Sequence, residues 1–113
     1  MNPIIPIPEQ QIIDWSGQFG NTSANDQIWD MTGNLREIVK QHQAVLFATP
    51  EYNASLPALL KNTLDWLSRP YAREPGVSVW KGKVAGLLSS SPGALGGLRA
   101  LVHLRQVLMN LGL

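Results

Sequence analysis

The run Ala44-Val45-Leu46-Phe47-Ala48 is unbroken apolar sequence, long enough for a strand and too short for a helix of its own. A run with no polar alternate predicts a strand covered on both faces, as in parallel sheets. Upstream, Leu35, Ile38 and Val39 recur at helical spacing, and Thr32 stands where a cap belongs; together they predict a helix from Thr32 to about His42. Downstream, Leu59, Leu60, Thr63, Leu64 and Leu67 form the apolar face of a second helix, with Ser55 as cap, Pro57 in the first turn and Pro70 as the stop. Its opposite stripe carries Lys61, Asp65 and Arg69 at spacing four, pairs worth a few tenths of a kcal/mol each.

A Pro/Gly-containing loop, Pro70 to Gly82, leads into a second apolar run, Val84 to Ser90, read as another buried strand. Ser91-Pro92-Gly93 then opens a long helix from about Leu95 to Leu111. In it Leu98, Leu101, Leu104, Leu108 and Leu111 face inward, and Arg99, His103, Gln106 and Asn110 face outward. Strand, helix, strand, helix with glycine-rich turns is the βαβ pattern of a parallel sheet. Residues 1–30 are different in character. Pro3, Pro6 and Pro8 interrupt Ile4, Ile5 and Ile7, which allows an edge strand or an extended lead-in, and Ser16 to Asp26 reads as a loop.

Bulk properties narrow the function classes. A chain of 113 residues is one domain at most. Net charge is +1 with 15% charged residues and no basic stripe, so neither nucleic acid nor an anionic membrane is expected as partner. The absence of cysteine excludes disulfides, iron–sulfur clusters and thiolate zinc sites, and fits a reducing cytoplasm. No apolar run approaches the roughly 18 residues of a membrane span. The N-terminus has prolines and no basic segment, a poor signal peptide. His42 and His103 have no acidic or cysteine partner at ligand spacing, so they are read as surface or packing residues and no metal is expected.

The most informative chemistry lies where each apolar strand gives way to a helix, which is where open α/β sheets hold ligands. The first such place is Thr49-Pro50-Glu51-Tyr52-Asn53, and the second is Ser91-Pro92-Gly93 with Gly96 and Gly97. Neither has a nucleophile–base pair or a glycine-rich nucleotide fingerprint. A proline, an aromatic ring and an amide on a tight turn suit a flat redox-active ring. Small residues at the second turn let backbone approach a ligand closely. Arg99 sits in the first turn of its helix, where a cation opposes the macrodipole at a cost of about 0.3–1 kcal/mol. A nearby anion is therefore expected, such as the Glu51 carboxylate, beside the alternative of a solvated arginine.

At these residues the chain resembles a known family. Ala48-Thr49-Pro50-Glu51-Tyr52-Asn53, Leu60-Lys61-Asn62 and Asp65-Trp66-Leu67-Ser68-Arg69-Pro70 look like the signature of the NADPH-dependent FMN reductases and their chromate, quinone and azo-dye reductase relatives. Gly82-Lys83, the Ser91–Ala100 segment and His103 to Leu108 match as well, so the resemblance covers about residues 44–113; Ala54 departs from it, standing where the family often has a polar residue or Gly. The resemblance implies a flavodoxin-like, doubly wound parallel sheet in three α/β/α layers. It implies that this chain is the middle of that domain, without the first strand and its Ser-x-Arg-x-x-Ser phosphate loop, and without the last strand and helix. The 44–49 strand would then expose an unpaired ladder edge.

By the same resemblance, Pro50, Glu51, Tyr52 and Asn53 form one wall of an FMN site, and Ser91, Pro92, Gly93, Gly96 and Gly97 the other. Arg99 gains two further candidate anions, a subunit partner or the phosphate of NADPH. Lys61, Asp65 and Trp66 lie near subunit contacts of a homodimer or homotetramer, and Trp66, outside the leucine stripe, fits an interface anchor. The implied activity is NADPH-dependent reduction of FMN and of quinones, azo dyes or metal oxyanions, with the cofactor carrying the chemistry and no catalytic side chain named. The alternative is a non-catalytic remnant or interaction module of the same fold. A one-electron carrier is disfavoured, since such carriers tend to be strongly acidic.

Overall fold

The computed structural model describes residues 33–113. The expectations for the Ile/Pro lead-in, for the Ser16 to Asp26 loop and for the Thr32 cap lie outside them. Helix α1 occupies 33–40, followed by strand β1 (Ala44–Pro50), helix α2 (Ala58–Leu67), a 3-10 turn (Gly76–Trp80), strand β2 (Val84–Ser90) and helix α3 (Leu98–Leu111). The two strands pair in parallel, in register from Ala44 opposite Val84 to Pro50 opposite Ser90. Strand, helix, strand and helix thus follow in the order the hydrophobic pattern predicts. This is an incomplete flavodoxin-like α/β arrangement.

The core lies on one side of the sheet. Phe47, Leu64, Leu67, Val79, Trp80, Leu104, Leu108 and Val39 form a single buried cluster, with Val45, Ala85 and Leu87 packed against it. Burial of each aliphatic side chain contributes roughly 1.5–3 kcal/mol. The exposed Lys61–Asp65 pair, at 2.8 Å, contributes a few tenths. Packing, not surface charge, holds α2 in place.

Four expectations are corrected. The apolar runs are not covered on both faces, because the helices among the described residues share one side. Leu46, Val84 and Leu88 are 66%, 69% and 55% exposed, while Phe47 and Thr49 between them are buried. Of the three layers, the described residues supply two. The 70–82 segment is more than a loop, since Val79 and Trp80 are almost fully buried and the Trp80 ring meets Phe47 at 6.4 Å between centroids. A large aromatic in a glycine- and proline-rich stretch was the sequence sign of this. Helix α3 starts at Leu98, not Leu95, and Ala100 takes the buried position expected of Leu98, which is exposed. Finally, Pro57 precedes α2 as its N-cap without any side-chain bond, so Ser55 does not cap it.

Among the described residues one charged residue is part of the interior. Arg36, on α1, is 1% exposed and donates from Nη1 to the carbonyls of Leu67, Arg69 and Gly76. Its Nη2 lies 3.6 Å from Glu74, and its guanidinium sits 5.8 Å from the Tyr71 ring centre. Carbonyls left open at the end of α2 and at the start of the 3-10 turn are thereby satisfied from a third element. Gly76 makes this junction possible, because a Cβ there would lie 1.9 Å from the Ser68 carbonyl oxygen.

Candidate functional site

Parallel register brings the C-terminal ends of β1 and β2 side by side. Thr49 pairs with Ser89 and Pro50 with Ser90, so the chain leaves both strands at one level. Neighbouring strands are about 4.8 Å apart. The 50–57 and 91–97 segments therefore emerge as adjacent turns, the position at which open α/β sheets hold ligands.

The first turn is unusually tight. Tyr52 and Ser55 exchange backbone hydrogen bonds at 2.9 and 3.0 Å, closing a two-residue loop whose members, Asn53 and Ala54, have φ of 50° and 65°. Two successive positive φ values define the I′ type, for which Asn-Gly is the favoured pair. Asn53 suits the conformation, whereas Ala54 adopts it at a cost of roughly 1–2 kcal/mol. A second turn of the same design, Tyr71 to Glu74, carries Ala72 and Arg73 at φ 47° and 69°.

The 50–53 turn points its residues in different directions. Pro50 and Asn53 are exposed and the Tyr52 ring is 55% exposed, but the Glu51 side chain is only 4% exposed. Its carboxylate faces the start of α3. Oε1 accepts from Arg99 Nε at 2.8 Å and lies 2.6 Å from Nη2, while Oε2 accepts the backbone N–H of Arg99 at 3.1 Å and of Ala100 at 3.4 Å. Burial opposes ionisation of this carboxyl. The bonds from Arg99 and from the α3 backbone outweigh burial and hold Glu51 below the usual 4.5. Of the anions expected near Arg99, the carboxylate is the one beside it.

The second turn is built on close backbone approach. Ser91 Oγ accepts the Gly93 N–H at 3.1 Å, and Gly96 N–H bonds the Gly93 carbonyl at 3.0 Å. Pro92, Gly93 and Gly96 are exposed, whereas Gly97 is buried. Gly97 has φ +91°, and a Cβ on it would lie 2.2 Å from Ser89 Oγ; both facts require glycine. The residues expected at the two walls are thus brought together, with Arg99 between them. Lys61 and Asp65 sit on α2, paired with each other, and Trp66 is half-buried on the same helix.

One contact was not anticipated. Ser55 Oγ lies 2.8 Å from His103 Nδ1. Ser55 follows Glu51 by four residues and His103 follows Arg99 by four, one helical turn along α3. That shared spacing was the available signal. Among the described residues there is no cluster of three or more metal-binding side chains. With Glu51 engaged by Arg99, the turns present an aromatic ring, backbone and small polar groups.

Comparisons with known proteins match most of the chain. A family model described as NADPH-dependent FMN reductase matches residues 9–113, a longer stretch than the 44–113 suggested by motifs. A quinone reductase of Pseudomonas putida is 48% identical over 75 residues, covering 66% of this chain and 38% of that protein. An NAD(P)H-dependent FMN reductase of Pseudomonas aeruginosa is 47% identical over the same length and share. Among solved structures, FerB, a flavoenzyme NAD(P)H:(acceptor) oxidoreductase from Paracoccus denitrificans, superposes with a TM-score of 0.65 at 36% identity. That superposition covers 76% of this chain and 47% of FerB. The chain spans 38% of the length of these two curated relatives.

Proposed function

The chain belongs to the NADPH-dependent FMN reductase family, and on that premise we propose that its paired turns form part of the flavin site of an NAD(P)H-dependent oxidoreductase that reduces quinones. The observation that carries this reading is the juxtaposition of the 50–53 and 91–97 turns at the ends of two adjacent parallel strands, linked by Glu51 and Arg99. The residues fit a flavin ring. Tyr52 offers an exposed aromatic surface, and Asn53 and Gly93 bring polar backbone to an open turn. The one carboxylate of the first turn is already neutralised, so it does not repel an electron-rich ring.

When bound, FMN supplies the hydride and electron chemistry, accepting from NADPH and delivering to the acceptor. The chain's own share is placement. Pro50 to Asn53 and Ser91 to Gly97 hold the two sides of the ring, and Arg99 is turned toward Glu51. Azo dyes, metal oxyanions and free flavin are proposed as further acceptors, because a site that works through its cofactor need not shape itself to one substrate. A cytoplasmic homodimer or homotetramer, with Lys61, Asp65 and Trp66 near its contacts, completes the reading. No helix among the described residues is long and apolar enough to cross a membrane.

A second reading is favoured by the bare face of the sheet, where Leu46, Val84 and Leu88 are exposed: a non-catalytic module that associates through that face. One experiment separates the two. FMN is added to the purified chain and the flavin band near 450 nm is followed, before and after anaerobic NADPH. A perturbed band that bleaches with NADPH supports the reductase reading. An unperturbed spectrum at about 1 mM FMN, a limit of roughly −4 kcal/mol, leaves the association reading.

A further inference from the structure

Resting on the flavin reading above, we propose that Glu51 is the positioning residue of this site. Its carboxylate locks the 50–53 turn against the start of α3, and the two walls hold a flavin-competent arrangement only while that link is made. The turns leave separate strands, and past the last strand pair, Pro50 with Ser90, two side-chain links join 50–57 to α3 among the described residues. These are Glu51 with Arg99 and Ala100, and Ser55 with His103.

The two links differ in kind. Ser55–His103 is an exposed contact of a hydroxyl with an imidazole, and exposed bonds of this kind contribute little in water. Glu51 is ionised, nearly wholly enclosed, and bonded to both backbone and guanidinium. Charge-assisted bonds of this type are roughly twice as strong as neutral ones.

The start of α3 depends on it. A helix leaves its first four N–H groups without intrahelical partners. Gly97, the N-cap of α3, lies in the left-handed region and has no side chain to cap with. The Leu98 N–H bonds Leu95 O, and the Leu101 N–H makes the first intrahelical bond, to Gly97 O. The N–H groups of the two residues between them, Arg99 and Ala100, are both taken by Glu51 Oε2. A residue of the first wall thus does for the second wall what an N-cap Ser or Asp ordinarily does locally. The same carboxylate offsets the unfavourable position of Arg99 at the positive end of the helix. Because Glu51 lies between exposed Pro50 and exposed Tyr52, holding it fixes where the Tyr52 ring stands relative to Gly93 to Gly97.

The test compares the full chain with Glu51→Gln and His103→Ala. Residue-resolved amide hydrogen exchange is measured without flavin, and FMN affinity by quenching of flavin fluorescence. In Glu51→Gln, exchange at Tyr52, Ser55, Arg99 and Ala100 is expected to rise about tenfold while Phe47, Leu104 and Leu108 stay unchanged, and FMN affinity is expected to fall about tenfold. His103→Ala is expected to change neither by more than about threefold. Unchanged exchange at the two turns, or a rise spread equally through the core, overturns the proposal. So does an FMN affinity equal to that of the native chain, which would leave the flavin reading intact. If the native chain binds no FMN while the exchange effect of Glu51→Gln stays confined to the turns, the link is supported and the flavin reading falls.

Discussion

Glu51 and Arg99, separated in sequence by α2, the 3-10 turn and β2, meet at the ends of two adjacent strands, with Arg99 Nε 2.8 Å from Glu51 Oε1. Each side chain resolves a difficulty of the other. Arg99 is a cation at the positive end of a helix, and Glu51 is a carboxylate almost closed off from water.

That relationship makes stability depend on acid. Glu51 is held below the ordinary 4.5, its burial outweighed by bonds from Arg99 and the α3 backbone, and Glu74 is held below it by Lys40. A carboxyl whose folded pKa is depressed takes up protons on unfolding, so its stabilisation is complete above the unfolded value and lost as pH falls through the folded one. Thermal unfolding midpoints should be level between about pH 7 and 5 as far as these groups are concerned, and fall below about 4.5. The Glu51→Gln/Glu74→Gln variant should show a shallower decline. Lys40 is the opposite case, raised above 10.5 by Glu74 and Glu37. Its share is present below 10.5 and lost as pH rises through the folded value.

Ala54→Gly should stabilise the chain by about 0.5–1 kcal/mol. Relief of the left-handed strain at φ 65° exceeds the added freedom of glycine in the unfolded state. Chemical denaturation, with the midpoint rising at constant slope, is the measurement. Lack of any gain would mean that the Tyr52–Ser55 turn relaxes at little cost.

Trp80→Ala should destabilise by about 3–5 kcal/mol, since it empties a fully buried site against Phe47 and strands Ser68 Oγ without its indole N–H donor, now at 3.1 Å. Trp80→Phe, which keeps most of the volume, should cost clearly less in the same denaturation experiment.

Arg36→Ala is expected to cost about 3 kcal/mol or more, because three carbonyls at the α2 end and the 3-10 turn lose their shared donor. Lys61→Ala provides the contrast. It removes an exposed pair on α2 and should shift the midpoint by no more than about 0.5 kcal/mol.

The legible part of the fold was the part carried by period and punctuation. Val84 to Ser90 was bounded correctly, because an apolar run between Lys83 and Ser91-Pro92-Gly93 leaves one choice. The outward set Arg99, His103, Gln106 and Asn110 on α3 is exposed as expected. What escaped was decided by tertiary contact. Arg36 looks like any surface arginine until three carbonyls from another part of the chain surround it. Ser55 has the residue type of a cap, yet its hydroxyl goes to His103. Leu98 yields its buried place to Ala100 because the stripe α3 buries runs Ala100, Leu104 and Leu108 at spacing four, and Leu98 lies off it. At the site, Glu51 and Arg99 could be named as possible partners from charge alone. That one carboxylate also closes the helix start required the backbone.

The one-sided dressing of the sheet bears on which substitutions natural variation can accept. Ala44 to Ala48 reads as uniform apolar text, but neighbouring letters answer to different solvents, Leu46 to water and Phe47 to the interior. Within the described residues, every second position along β1 and β2 therefore answers to the packed cluster. Polar replacements at Leu46, Val84 and Leu88 should leave that cluster intact while those at Phe47 and Leu87 enter it, a rhythm that no hydropathy profile of these strands contains.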